Sequence, residues 1–280
     1  MIYLDHNATT PILPEVLEAM MPYLTTEWGN PSSSYRFGSK LKTVVETARA
    51  QVAELVGAHP LGIVFTSCAT ESNNAAINAA LKAHPDKRHL VTSMVEHSSV
   101  LNYCKALEKK GYRVTYLPVD RDGLLNLADL EDSITDETAL VSLMWANNET
   151  GVLFPVKEIA ETCRARGVPY HCDAVQAAGK VEVDVREVQA DYLSLTGHKF
   201  HAPKGIGALY VWRKAPFCPS SSEVTRSAVS AAARRTSRSS SAWGRQPNWR
   251  ESTCRTTTAR YARSVTHWRR GSSARFPPRS

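Results

Sequence analysis

The sequence predicts an α/β protein in which a mostly parallel, seven-stranded sheet lies between helices. Two features of the 280-residue chain point to it. Short apolar, β-branched runs between Gly62 and Trp212 alternate with segments whose apolar residues recur at helical spacing, the pattern of a parallel sheet covered on both faces. Side chains capable of chemistry also recur just past the ends of those runs, where open α/β sheets bind their ligands.

Tyr3 to Thr10, followed by Pro11 and Pro14, reads as an extended arm ending in a turn, with a helix from about Glu15 to Tyr23 beyond it. Gly29-Asn-Pro-Ser-Ser-Ser34 is a loop of turn formers. Lys40 to Val56 has helical spacing and Gly57 is its expected C-cap. Gly62 to Thr66 is a short strand that leads through Ser67-Cys-Ala-Thr70-Glu71 into a helix marked by alanines, Ile77 and Leu81. Strands are then expected at Leu90 to Val95, Arg113 to Val119, Ala139 to Trp145, Val168 to Cys172, Tyr192 to Leu195 and Ile206 to Trp212. Helices are expected near Val100 to Lys110, Leu127 to Ser133 and Val156 to Arg166. The chain thus divides into an N-terminal arm (1–15), a large domain (16–217) and a tail (218–280).

Charge is distributed unevenly. Ser220 to Ser280 carries 13 Arg, no Lys and two acidic residues, a surplus of +11 within a whole-chain charge of +7, so the preceding 219 residues sum to −4. The basic balance therefore describes the tail, and it does not mark the folded body as a nucleic-acid binder. The same stretch has 14 Ser and no Leu, Ile or Met, a composition that cannot bury a core and is expected to be disordered. Six widely spaced cysteines without a C-x-x-C pair suit a reducing compartment. No leader-like N-terminus or membrane-length apolar run is present, so a cytoplasmic protein with no membrane partner is expected.

The central stretch is Tyr192-Leu-Ser-Leu-Thr196-Gly197-His198-Lys199, a strand that breaks at glycine and delivers one lysine. Such an amine suits a carbonyl cofactor held as an imine, although a lone lysine after a strand is commonly a surface residue. The loop Ser67 to Glu71 offers a phosphate seat at a helix start, or simply a helix cap with a capping-box pattern. Glu96-His97, Asn147-Asn148-Glu149 and Asp173-Ala-Val-Gln176 each follow a strand. A strand-end Asp can pair with a protonated ring nitrogen, a His can stack on the ring, and an Asn or Gln amide can meet its phenolic oxygen. Each also has a structural reading as a buried or turn residue. His171, Cys172, Asp173, His198 and His201 lack metal-ligand spacing, so no metal is expected; isolated glycines give no nucleotide-binding fingerprint.

Taken in order, Asp5-His-Asn-Ala-Thr-Thr10, Gly29-Asn-Pro-Ser-Ser33, Phe65-Thr-Ser-Cys-Ala-Thr-Glu-Ser72, Val95-Glu-His97, Met144-Trp-Ala-Asn-Asn-Glu-Thr-Gly151, Asp173-Ala-Val-Gln176 and Gly197-His-Lys-Phe-His-Ala-Pro-Lys-Gly205 closely resemble the cysteine desulfurases of the NifS/IscS family. These are class V aminotransferase-like, fold type I enzymes of pyridoxal 5'-phosphate. The resemblance runs from Met1 to about Phe217, and its wording is nearer the nitrogen-fixation branch. It implies a catalytic set of Lys199, His97 and Asp173: Lys199 as the imine-forming lysine, His97 stacked on the ring and handling protons, Asp173 on the ring nitrogen. It implies phosphate contacts from Ala69, Thr70, Thr196 and His198, and ring-substituent contacts from Asn148 and Gln176. The implied reaction takes sulfur from L-cysteine, leaving L-alanine and an enzyme persulfide that a homodimer passes to an iron-sulfur scaffold protein, with nitrogenase as the expected destination.

Beyond Phe217 the resemblance stops. The family's arginine- and glycine-rich segment and its small domain with the nucleophilic cysteine are unmatched, and Cys254 does not sit in that motif. A frameshift or truncation is the expected origin of residues 218–280, and turnover is expected to suffer. An Arg/Ser-rich nucleic-acid arm with Trp243, Trp249 and Trp268 is the rival reading of the tail. The rival readings of the body are another class V enzyme, such as a selenocysteine lyase or an aminotransferase, and a non-catalytic remnant of a cofactor-binding domain.

Overall fold

The computed structural model describes residues 2–217, so the expectations for 218–280, Cys254 included, lie outside the described residues. Seven strands, β1 (Ile63–Thr66), β2 (His89–Ser93), β3 (Arg113–Leu117), β4 (Thr138–Met144), β5 (Tyr170–Asp173), β6 (Tyr192–Thr196) and β7 (Gly207–Val211), form one sheet. Their order is β1-β7-β6-β5-β4-β2-β3, and β7 alone runs opposite to the other six. The parallel strands are reached by helical crossovers, whereas β7 follows β6 through the short excursion Gly197 to Ile206 and so returns in the opposite direction.

The helices are α1 (Pro14–Thr25), α2 (Arg36–Leu55), α3 (Ala69–Ala83), α4 (Ser98–Glu108), α5 (Leu127–Ser133), α6 (Val156–Ala165) and α7 (Val185–Val188). One apolar layer joins Val52 of α2, Leu130 of α5 and Ile159 of α6 to Leu143 and Leu195 of the sheet. The other joins Ile77 and Leu81 of α3 and Val100 and Leu107 of α4 to Leu90, Leu140 and Leu209. Every residue of β4 is buried, which explains why its sequence runs apolar instead of alternating. Each fully buried Leu or Ile contributes about 1.5–3 kcal/mol to this packing.

Local chemistry moves several element ends from where periodicity alone puts them. β2 stops at Ser93, two residues before the expected Val95, because the Ser93 hydroxyl donates to Glu96 across a tight turn. α4 starts at Ser98, earlier than Val100, because the His97 ring accepts the Ser99 N–H and caps the helix. Gly57 has φ +67°, as its C-cap reading requires. The four-residue α7 is too short to leave a periodic signal; Asp184 caps it, and Gln189 ends it in the left-handed region with φ 55°.

Candidate active site

The carboxyl ends of β1, β2, β4, β5 and β6 open on one side of the sheet. Lys199 sits in a single 3₁₀ turn (Gly197–Lys199) directly after β6. The N-terminal arm lies across it: the Lys199 ammonium donates to the Asn7 carbonyl and, at 3.0 Å, to that of Ala8. Thr10 anchors the arm by donating from its N–H and its hydroxyl to the His198 carbonyl, at 2.9 and 3.0 Å, and the Thr10 hydroxyl oxygen accepts the His201 N–H at 2.7 Å. That last bond holds His201 at φ 69°, an unusual conformation for a side chain with a Cβ. Burial pushes the Lys199 amine below the ordinary lysine range, against the opposing pull of Asp173, Asp5 and Glu149.

Asp173 ends β5 and is 6% exposed. Its Oδ2 accepts the Asn73 amide at 2.8 Å and its Oδ1 accepts the Val175 N–H at 3.1 Å. Burial pushes its carboxyl up, while these two donors and the nearby His97 and Lys199 pull it back toward the ionised form. Asn73 also donates to Ser99 Oγ at 3.0 Å, and that hydroxyl lies 2.8 Å from His97 Nδ1. The His97 ring itself is exposed and, with Thr70, Asn74, Ser99 and Tyr103, lines a cleft of about 370 Å³ between the starts of α3 and α4.

The expected phosphate seat is the start of α3. Its N-cap, Cys68, offers no side-chain bond, and the N–H groups of Ala69 and Thr70 belong to the first turn, where no intrahelical acceptor exists. Glu71 folds back to accept the Ser67 N–H and hydroxyl, each at 2.6 Å, one residue ahead of the N-cap, so the capping box suggested by the sequence is not formed and the first N–H groups of α3 stay free of a side-chain cap. Gly207 of β7 packs on this loop so closely that a Cβ there would lie 2.7 Å from the Cys68 carbonyl carbon. The backbone of β7 thereby fixes the distance between the α3 start and the turn bearing Lys199. Thr196 directs its buried hydroxyl to the Ile206 carbonyl at 3.1 Å, and His198 Nδ1 lies 3.1 Å from the Thr9 hydroxyl. Burial, then the cationic neighbours Lys199 and Lys204, push His198 down toward its neutral form.

Gln176 joins the group through the arm: its Nε2 donates to the Asn7 carbonyl at 2.9 Å, the same oxygen that Lys199 reaches, and its Oε1 accepts from Lys180. Of the two adjacent asparagines, Asn147 organises the turn. Its Oδ1 accepts from the N–H groups of Glu149 and Thr150 at 2.9 and 3.0 Å. Asn148, half-buried, leans on Glu149. His171 has both ring nitrogens engaged, 2.8 Å from Ser142 and 2.9 Å from Ser194, and burial pushes it down to about 3, so it is a neutral core residue. Asn73, Ser99, Lys180 and the carbonyls of the arm touch these candidate residues, and sequence reasoning does not find them.

The aminotransferase class-V family model matches residues 2–230. A cysteine desulfurase of Trichormus azollae is 57% identical over 218 residues, 78% of this chain and 54% of its own. A mitochondrial cysteine desulfurase of Drosophila melanogaster is 52% identical over 215 residues, 76% of this chain and 46% of its own. The chain therefore spans about half the length of these curated relatives. Among solved structures, SspA in complex with cysteine superposes with a TM-score of 0.81 at 33% identity, covering 95% of this chain and 73% of that one. A NifS-like protein superposes with a TM-score of 0.82 at 32% identity, covering 96% and 71%. With one family model matched from residue 2 to residue 230, the chain belongs to the aminotransferase class-V family.

Proposed function

We propose that this chain carries the cofactor half of a cysteine desulfurase, holding pyridoxal 5'-phosphate and acting on L-cysteine. The observation that carries the reading is the convergence of Lys199, Asp173 and His97 at the carboxyl ends of the sheet. It is supported by relatives named cysteine desulfurase at 50–57% identity.

The donor set fits the cofactor. An amine, a buried carboxylate and an uncapped helix start are complementary to an aldehyde, a protonated ring nitrogen and a phosphate, the three groups by which pyridoxal phosphate is gripped. Lys199 would hold the aldehyde carbon; its burial favours the neutral, nucleophilic amine. Asp173 would face the ring nitrogen, with Asn73 and Val175 keeping the carboxylate in its ionised form. Ala69 and Thr70 would give N–H groups to the phosphate, with Thr196 and His198 beside them. His97 would lie over the ring, and Gln176 and Asn148 would meet its substituents. When bound, the ring supplies an electron sink for bonds broken at the substrate's α- and β-carbons.

A desulfurase also needs a thiolate to take the sulfur. Burial pushes the thiols of Cys104 and Cys163 up to about 12 and that of Cys172 higher still, so none of these three is poised for that role. A homodimer, an iron-sulfur scaffold as sulfur acceptor and a link to nitrogenase belong to the same proposal. Its test is L-cysteine added to the full chain loaded with pyridoxal phosphate. A change in the visible spectrum distinct from the one L-cysteine produces with free pyridoxal phosphate, and not reproduced by Lys199→Ala, is expected; a response indistinguishable from that of the free mixture would defeat the substrate assignment.

A further inference from the structure

A single buried amide ties two of these groups together. Asn73 Nδ2 donates both to Asp173 Oδ2 (2.8 Å) and to Ser99 Oγ (3.0 Å). Ser99 in turn addresses His97 Nδ1 twice, with its hydroxyl at 2.8 Å and its own N–H at 3.1 Å. The direction of each bond follows from which partners can only donate. An amide NH₂ has no lone pair to offer, so Asp173 Oδ2 and Ser99 Oγ both accept. A backbone N–H likewise only donates, so Nδ1 of His97 accepts. The Ser99 hydroxyl proton is then left to point at the same nitrogen, and a neutral His97 carries its own proton on Nε2. Rotating the Asn73 amide would set its oxygen against a carboxylate oxygen, acceptor facing acceptor, so the Asp173 carboxylate fixes the orientation of the whole chain of bonds. The Asn73 Oδ1, buried with no partner, gives the amide nothing to gain from the opposite orientation.

We infer that Asn73 and Ser99 are positioning residues that couple Asp173 to His97, holding the carboxylate as an acceptor and keeping Nδ1 of His97 unprotonated so that Nε2–H is the imidazole's free, proton-exchanging end. The inference deepens the cofactor reading and rests on it for what the cleft holds. The coupling itself is a property of the chain's own side chains.

The experiment uses the full chain labelled with ¹⁵N in its histidine rings, at one neutral pH, first without and then with pyridoxal phosphate. Long-range proton–nitrogen spectra report which ring nitrogen is protonated, and His97→Gln identifies the signals by their loss. Without the cofactor, wild type is expected to show a protonated Nε2 and a strongly hydrogen-bonded, unprotonated Nδ1. Ser99→Ala should shift the Nδ1 signal in the direction of a lost donor, Ser99→Thr should restore it, and Asn73→Ala should shift it the same way as Ser99→Ala. A His97 protonated on Nδ1 in wild type, or Ser99→Ala and Asn73→Ala spectra that superpose on wild type, would overturn the inference. Ser99→Thr guards against misfolding, since a merely packed residue would not regain the signal with a returned hydroxyl. The spectra with pyridoxal phosphate test the cofactor reading separately: no perturbation of His97 on adding it would count against the cofactor, while the coupling would still stand or fall on the spectra taken without it.

Discussion

Glu96 is a carboxyl group enclosed in protein with little to stabilise a charge. It is 5% exposed; Oε1 accepts from the Ser93 hydroxyl at 2.8 Å and the Met144 N–H at 2.9 Å, and Oε2 has no partner. Burial pushes it up to about 8, and the neighbouring Asp173 adds to the shift. Asp173, Tyr170 and Cys172 of β5 and Cys104 of α4 are the titratable groups within its field. The folded state therefore binds this proton more tightly than the unfolded state does. The stability it contributes is complete below the ordinary carboxylate value of 4.5 and is lost as pH rises through about 8. Glu96→Gln keeps the acceptor and removes the titration. Denaturant melts between those two pH values should show a flatter decline for the variant, by up to roughly a tenfold change in folding equilibrium per pH unit. Parallel slopes for the two proteins would mean Glu96 does not titrate in this range.

At the same scale, what a sequence declares depends on chain neighbours. Lys199 and Asp173 declare themselves because each stands at the end of an apolar run. Asn73 does not, because its meaning comes from a partner 100 residues away. Ser99 is likewise hidden, since a serine in the first turn of a helix reads as a capping residue whatever else it touches.

Among the elements, the tightest constraint is where β7 passes the loop before α3. A Cβ on Gly207 would lie 2.7 Å from both the Cys68 carbonyl carbon and the Thr66 hydroxyl, and the Cys68 backbone cannot yield without moving the start of α3. Gly207→Ala should cost about 1–3 kcal/mol, as overpacking does. It should also weaken uptake of pyridoxal phosphate more than a core substitution shown by thermal melts to cost the same stability; equilibrium dialysis makes the comparison. Equal losses would mean that the loop does not seat the phosphate. The helices and strands carrying these contacts are legible from period alone, apart from their ends. The ends shift where a side chain, such as Ser93 or His97, spends a hydrogen bond on the backbone or on a nearby group.

For the molecule as a whole, α1 turns an apolar stripe outward. Leu17, Met21 and Leu24 are 48, 45 and 44% exposed at helical spacing, and Ile12 and Trp28 flank them in sequence at 41 and 66%. A stripe of this kind favours association over an isolated chain in water. Sedimentation should show concentration-dependent assembly that Met21→Lys reduces; a monomer at all concentrations would contradict it. No described helix is long and apolar enough to cross a membrane. The sheet order and the antiparallel return of β7 are not legible in the sequence, because strand neighbours are chosen by packing between distant segments. The site survives that ignorance, since parallel strands gather their carboxyl ends on one side whatever their order.

The decisive measurement is chemical mapping of the cofactor link. The full chain is incubated with pyridoxal phosphate, reduced with borohydride, digested and analysed by mass spectrometry. If Lys199 is the anchor, the phosphopyridoxyl group will be found on the peptide containing Lys199 and will vanish from it in Lys199→Ala. A label spread over surface lysines, or undiminished in that variant, would contradict it.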